Sequence, residues 1–313
     1  MRIALITTSY PCHEDDPSGH FIRAEAKELA RKGHCITVFS PLQEIKQADD
    51  GIRVLALGGG NAFGWPGASI RLQAFPWYTV DAIAWMQRVR RALKYHSPHR
   101  IIAHWALPCG WPIGFIIPSP LELVSHGADV RLLCSLPIPM RVWLVRRLLG
   151  RALCWRFVSV KLREQLLDSL PPYLARLLEH GSTITPPSLE LPNVQQQILH
   201  RRRQLQGWKV YTAVGRLIPS KRLDRTITYT SALPSHPEKG NLLTIIGDGP
   251  ERKRLESMAK RLQINTYFTG KIGRREALAW IGASQALLYA SQQEGLSTVL
   301  REAQMLGTPI IYC

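Results

Sequence analysis

Short apolar runs alternate with longer amphipathic ones along this chain, and that rhythm restricts its fold more than any other feature. Residues 2–8 read as a buried strand, 9–19 as a polar loop, and 21–32 as a helix stopped by Gly33. Further strands are expected at 34–40, 52–57, 100–104, 121–125 and 155–160. A proline-rich stretch, Ile184-Thr-Pro-Pro-Ser-Leu-Glu-Leu-Pro192, then breaks the rhythm and reads as a connection between domains, residues 1–190 and 191–313. The alternation restarts beyond it, with strands at 210–214, 242–246, 267–269, 287–290 and 309–312. Helices are expected at 223–233, 250–262 and 274–283, and from 297 to Gly307, where Pro309 bars continuation. Such βα units build parallel sheets covered by helices, so the expectation is an α/β fold of two doubly wound domains. Their strand ends would face a cleft. Because the second domain stops on an apolar strand, it is expected to be incomplete.

With 313 residues, 45% of them apolar, the chain has core enough for two domains. Its 40 Lys and Arg against 23 Asp and Glu give a net charge of +17, which implies an anionic partner. Nucleic acid, a phosphorylated metabolite and an anionic membrane all qualify. Cys12, Cys35, Cys109, Cys134, Cys154 and Cys313 show no C-x-x-C spacing. That argues against a disulfide framework or a zinc site, and for a reducing cytosol. The first apolar run is too short for a signal peptide. The most apolar long stretch, residues 101–118, is broken by Pro108, Gly110, Pro112 and Gly114, so it reads as strand and loop rather than a membrane span. A cytoplasmic location is expected.

Glu294 and Glu302 stand eight positions apart, between the expected strand at 287–290 and the helix after it. This puts one acid at a strand's carboxyl end, where ligands bind, and the other about 12 Å further along. One could meet a sugar and the other a ribose. In Val214-Gly-Arg216-Leu-Ile-Pro-Ser-Lys221 a strand runs into a loop with two cations, which suits a diphosphate. A solvated basic turn is the ordinary alternative in a chain this basic. Ile246-Gly-Asp248-Gly-Pro250 reads as a tight turn with Asp248 capping the next helix. His126, in His126-Gly127-Ala128-Asp129, lies where strand meets loop, and either donates to a substrate oxygen or is bonded within the turn.

Loop 9–19 lacks the G-x-G-x-x-G pattern, which argues against NAD or FAD. Gly19, just before a helix, still allows a phosphate to approach backbone N–H groups. His13, Glu14, Asp15, Asp16 and His20 match no ligand spacing and read as solvated loop residues. With no D-x-D pair to hold a divalent ion, no metal and no cofactor are expected. Between Asp129 and Glu164 stand eight basic residues and no acid, interleaved with Leu, Val and Trp. As a basic amphipathic helix this run would favour an anionic membrane surface. Docked on its own domain, it would leave its arginines in water. The usual nucleic-acid patterns are absent, so nucleic acid is not expected as a partner.

In this order and spacing the segments resemble the retaining GT-B glycosyltransferases of glycosyltransferase family four, over nearly the whole chain. The resemblance rests on Tyr10-Pro11 through Gly19-His20-Phe21, His104-Trp-Ala-Leu-Pro108 and Val124-Ser-His126-Gly127 in the first half. In the second half it rests on Val214-Gly-Arg216 through Lys221, Gly247-Asp-Gly-Pro250, Phe268-Thr-Gly270-Lys-Ile272 and Glu294 to Glu302. It implies two Rossmann-like domains and transfer of a sugar from a nucleotide-diphosphate-sugar to a glycan or lipid-linked acceptor. It further implies that Arg216 and Lys221 hold the diphosphate, with Gly19 facing it and the Ser297–Thr298 helix start pointing N–H groups at it. Glu294 would contact the sugar, Glu302 the ribose, the backbone around Ile272 the base, and His126 the sugar near its reacting carbon. The chain departs from the pattern at Ser297, where many relatives have glycine, and at Pro186-Pro-Ser-Leu-Glu190 in the hinge. Further expectations are a truncated C-terminus and a peripheral position on the inner membrane face. A catalytically inactive nucleotide-sugar-binding remnant and a nucleotide-sugar epimerase remain as alternatives.

Overall fold

The structure is a computed structural model, and it describes residues 1–45, 51–64, 67–234, 237–291 and 296–313. The chain forms two compact units, Met1–Glu190 and Leu191–Cys313.

In the first unit the strands are β1 (Arg2–Ile6), β2 (Cys35–Ser40), β3 (Ile52–Ala56), β4 (Arg100–His104), β5 (Leu121–Ser125), β6 (Ala152–Phe157) and β7 (Ser182–Ile184). All pair in parallel, in the order β3-β2-β1-β4-β5-β6-β7. A parallel strand is covered on both faces, so it reads as an unbroken apolar run, and Ile3, Ala4, Leu5 and Ile6 of β1 are all buried. The covering helices are α1 (His20–Arg31), α2 (Ala68–Ala74), α3 (Thr79–His96), α4 (Ala128–Ser135), α5 (Ile138–Leu149), α6 (Val160–Leu167) and α7 (Pro172–His180). In α3, Trp85, Val89 and Leu93 recur every fourth residue and are fully buried, so one stripe of the helix meets the core.

The basic run is not one helix. Arg131 lies on α4, Arg141, Arg146 and Arg147 on α5, Arg156 on β6, and Lys161 and Arg163 on α6. Pro137 sets off the start of α5, and the segment after Gly150 pairs with β5 as β6. Several of these cations turn inward: Arg141 donates to the Cys134 carbonyl, Arg151 to those of Ile117 and Ser119, and Arg156 to carboxylates.

The second unit holds β8 (Lys209–Val214), β9 (Asn241–Ile246), β10 (Asn265–Gly270), β11 (Ala286–Tyr289) and β12 (Ile310–Tyr312). These strands too are parallel, in the order β10-β9-β8-β11-β12. Its helices are α8 (Gln195–Gln204), α9 (Leu223–Ser231), α10 (Arg252–Arg261), α11 (Arg274–Ala283) and α12 (Thr298–Met305). On one face of the sheet Tyr211, Ala213, Leu243, Ile245 and Leu288 pack with Leu223, Ile227 and Leu255. On the other, Val210 and Ile246 meet Trp280. Asp248 does not cap α10: Glu251 stands at that position, while the Asp248 carboxylate takes a bond from Gly249 N and one from Arg252.

In each sheet the chain begins centrally, builds outward to one side, then returns to build on the other. The order therefore reverses between β1 and β4, and again between β8 and β11, and connections leaving the two strands diverge to opposite faces there. Ligands of open α/β sheets settle in the crevice so formed. No helix among the described residues is long and apolar enough to cross a membrane.

Candidate functional site

At the reversal in the first unit, the loop leaving β1 runs into α1, and Gly19 closes it with φ 68°. A side chain there would be strained by that φ, and its Cβ would lie 2.5 Å from the Ser9 carbonyl oxygen, so only glycine fits. Phe21, on the first turn of α1, brings its ring to 4.9 Å from that of His126. The start of α1, which follows Gly19, is thus packed against His126, far from it in sequence. Trp105 stands 4.9 Å from the His126 ring on another side, and His104 completes the enclosure at 5.3 Å, nearly parallel.

His104 Nδ1 and His126 Nε2 share a hydrogen bond of 3.0 Å. His104 is fully buried at the end of β4, with Nε2 3.8 Å from Glu25 Oε2 on α1. Glu25 in turn pairs with Arg156, Arg156 with Glu122, and Glu122 with Arg100. These ion pairs keep otherwise costly buried charges compensated. Burial pushes the His104 pKa down to about 3, with the Arg156 charge adding to the effect. Burial also holds His126 well below the ordinary histidine value, helped by His104 and Arg156. Both rings are therefore neutral at physiological pH. Asp129 fastens the loop ends, accepting from the N–H groups of Ala106 at 2.8 Å, Gly127 at 3.0 Å and His126 at 3.2 Å.

At the reversal in the second unit, Arg216 and Lys221 leave β8 on one short loop, and Lys221 ends the 3₁₀ turn Pro219–Lys221. The Lys221 stem passes 3.6 Å from where a Gly215 Cβ would stand. The β9 loop braces this one: Leu217 N donates to the Asp248 carbonyl, and a Cβ on Gly247 would fall 2.0 Å from the Gly215 carbonyl oxygen. On the adjacent strand side, α12 begins at Thr298, with Ser297 at its cap position. The Tyr289 hydroxyl, its pKa raised by burial, shares a hydrogen bond with the Ser297 side chain. Glu302 is buried, its Oε1 accepting from Arg274 Nε at 2.9 Å and Nη2 at 2.8 Å. Ile272 packs against the Trp280 cluster rather than standing free. Glu294 lies outside the described residues.

Several residues at these rims were not singled out by sequence reasoning. His104 was visible only as part of its segment, and Glu25 and Arg156 only as ordinary charged residues. In the first loop Cys12, His13 and Asp16 bring their ligand atoms within 4.8 Å of one another, although their spacing matches no familiar pattern. Asp16 is already engaged there, accepting from Cys12 N at 3.2 Å and Ser18 N at 2.9 Å, and the pKa of its carboxyl is lowered. Burial alone would raise it; the bonds from Ser18 and Cys12 outweigh that.

The chain is similar across 99% of its length to the putative teichuronic acid biosynthesis glycosyltransferase TuaC of Bacillus subtilis, at 24% identity, and spans 80% of that protein. A shorter stretch, 38% of the chain, is 29% identical to 29% of a GDP-mannose-dependent alpha-mannosyltransferase of Mycobacterium tuberculosis. Among solved structures, sucrose-phosphate synthase of Thermosynechococcus elongatus superposes with a TM-score of 0.72 at 17% identity, covering 99% of this chain and 80% of that one. Anabaena HepE, solved with UDP and glucose, gives 0.67 at 16% identity, covering 100% and 80%. At such identities the likeness is one of fold: two parallel-sheet domains of the GT-B type. Residues 196–313, the bulk of the second unit, match the model of the family described as glycosyl transferases group 1.

Proposed function

We propose that this chain transfers a sugar from a nucleotide-diphosphate-sugar to a hydroxyl of a glycan or lipid-linked glycan precursor, with retained anomeric configuration and without a metal. The observation that carries the reading is the placing of Arg216 and Lys221 beside the β8–β11 reversal, inside the region that matches the group 1 family. HepE, solved with UDP and with UDP-glucose, supports a nucleotide-sugar as donor. Retention rests on the resemblance of the segments alone.

The chemical burden is leaving-group charge. As the bond from the anomeric carbon to the diphosphate oxygen lengthens, the sugar becomes oxocarbenium-like and the diphosphate gains negative charge. Arg216 and Lys221 offset that charge, and the N–H groups at the start of α12 add the positive end of a helix dipole. The acceptor oxygen bonds to the anomeric carbon and loses its proton as the nucleoside diphosphate departs. Glu294 faces the sugar and Glu302 the ribose in this reading, with Arg274 fixing the Glu302 carboxylate. The backbone at Ile272 borders the base. In the first unit, the resemblance gives His126 a sugar hydroxyl and Gly19 a phosphate oxygen as partner.

Exposed Ile138, Met140 and Trp143 on α5, with Arg146 and Arg147 beside Trp143, suit an anionic lipid surface. The protein then works in the cytoplasm, peripherally on the membrane, with no nucleic acid as partner.

A thermal-shift panel of UDP-, GDP- and ADP-sugars tests the donor, since a ligand at about 100 times its Kd adds about 2.7 kcal/mol of stability. Turnover with hydroxyl acceptors then tests the reaction. Stabilisation with no turnover would leave a nucleotide-sugar-binding protein, and isomerised donor without acceptor would mean an epimerase. No response to any nucleotide-sugar would sink the reading.

A further inference from the structure

His126 has a task in that reading, whereas the fully buried His104 behind it has none. The 3.0 Å bond between His104 Nδ1 and His126 Nε2 needs a proton on one nitrogen and a lone pair on the other. Both rings are neutral, so each carries a single proton. The far nitrogen of His104 decides where those protons sit. Its Nε2 is buried, has no hydrogen-bond partner among the described residues, and lies 3.8 Å from Glu25 Oε2. A lone pair aimed at a carboxylate across that distance would be repelled in a medium of low dielectric, while an N–H aimed at it is attracted. Arg156 pairs with Glu25, and Glu122, on Arg156's other side, balances the arginine. The charged groups around the pair are thus Glu25 from α1, Glu122 from β5, Asp129 from α4 and Arg156 from β6. With the His104 proton on Nε2, its Nδ1 is bare and accepts, so His126 Nε2 must donate.

We propose that His104, oriented by Glu25, is a positioning residue that holds His126 with its proton on Nε2 and its lone pair on Nδ1. His126 then offers a substrate a fixed hydrogen-bond acceptor. A hydroxyl satisfies that acceptor, while a carboxylate or an ether oxygen at the same place does not. Histidine roles of this kind are set by the bond the other ring nitrogen makes. The substrate side of the inference rests on the reading that His126 meets the sugar; the proton placement does not.

The test uses the full chain with ¹⁵N-labelled histidines. Long-range ¹H–¹⁵N spectra near neutral pH distinguish a protonated ring nitrogen from a bare one, and His126→Gln assigns the signals. His126 is expected with Nε2 protonated and Nδ1 bare; the opposite tautomer overturns the proposal. His104→Phe keeps a ring but removes the acceptor, and His126 should then average between tautomers. Sugar-transfer kcat should fall by about tenfold, the lower end of what losing a histidine-orienting partner costs at metal sites, with donor KM moving less than about threefold. His104→Asn, whose carbonyl can replace Nδ1 as acceptor, should restore both the tautomer and most of the rate. An unchanged His126 tautomer in His104→Phe overturns the proposal even if activity falls. Glu25→Gln leaves Arg156 its Glu122 partner and removes only the orienting charge. His104 should then lose its single tautomer; a retained one overturns the proposal, and this variant decides the question where His104→Phe does not fold. If the tautomer is as expected but no donor turns over, the proton placement stands and the transferase reading fails.

Discussion

Lys221 combines a mobile charge with a stem held against Gly215, so its removal should affect chemistry more than folding. Lys221→Ala is expected to lower kcat by about a hundredfold, roughly 3 kcal/mol of barrier, the scale for losing one preorganised donor. Initial rates across donor concentrations check this, and a loss below about threefold would contradict the role. The loop that carries it was legible because its signal is local: a strand run, then two cations within five residues. Glu25 and Arg156 were not legible, since their contact joins positions 131 apart and no local pattern records such a pairing. Asp248 shows the converse failure. Its spacing suits a cap, but the β9 loop folds back so tightly on Gly215 that α10 starts beyond its reach, and Arg252 takes its carboxylate instead.

Among the elements, α5 differs most from its sequence reading. An unbroken count of basic residues suggested one long amphipathic helix, but counting charges ignores where chain breakers fall. Pro137 starts α5, the chain turns at Gly150, and β6 then buries Trp155 and Phe157 in the core. The face left exposed is smaller: Trp143 is 47% exposed, flanked by Met140 at 49% and by two arginines. Arg147 lies 5.6 Å over the Trp143 ring, which keeps cation and aromatic together. The full chain is expected to bind vesicles containing phosphatidylglycerol and not vesicles of phosphatidylcholine alone. Replacing both Arg146 and Arg147 with Ala should cost about 2 kcal/mol, roughly thirtyfold in partitioning, at about 1 kcal/mol per cation. Sedimentation with vesicles measures it; equal binding to neutral lipid would rule out the charge-led docking. The strands, in contrast, were legible to within a few residues, because a buried parallel strand has an unbroken apolar signature that tertiary packing reinforces, except the three-residue β7, which no expected strand covered.

For the molecule as a whole, two neutral buried histidines make stability depend on pH. In the unfolded chain His104 and His126 take up protons as pH falls through about 6.5. In the folded chain His104 does so only near 3, and His126 well below its ordinary value. The unfolded state therefore binds more protons over that interval, and stability drops as pH falls. Each histidine contributes at most about 1.4 kcal/mol per pH unit. Urea midpoints of the first unit should decline between pH 6.5 and 5, above the range where ordinary carboxylates titrate; a flat profile there would contradict neutral burial. Strand order was the part of the architecture hidden from sequence, because parallel neighbours are joined by long crossovers and pattern alone does not say which run lies beside which.

That order has a practical side. Since all strands of the first sheet point the same way, every connection bearing a candidate residue leaves from one rim, and the opposite rim is free of them. Cys35 is exposed at the amino end of β2, on that far rim. A fluorophore coupled to its thiol would give the protein a spectroscopic handle set well away from the proposed site it reports on.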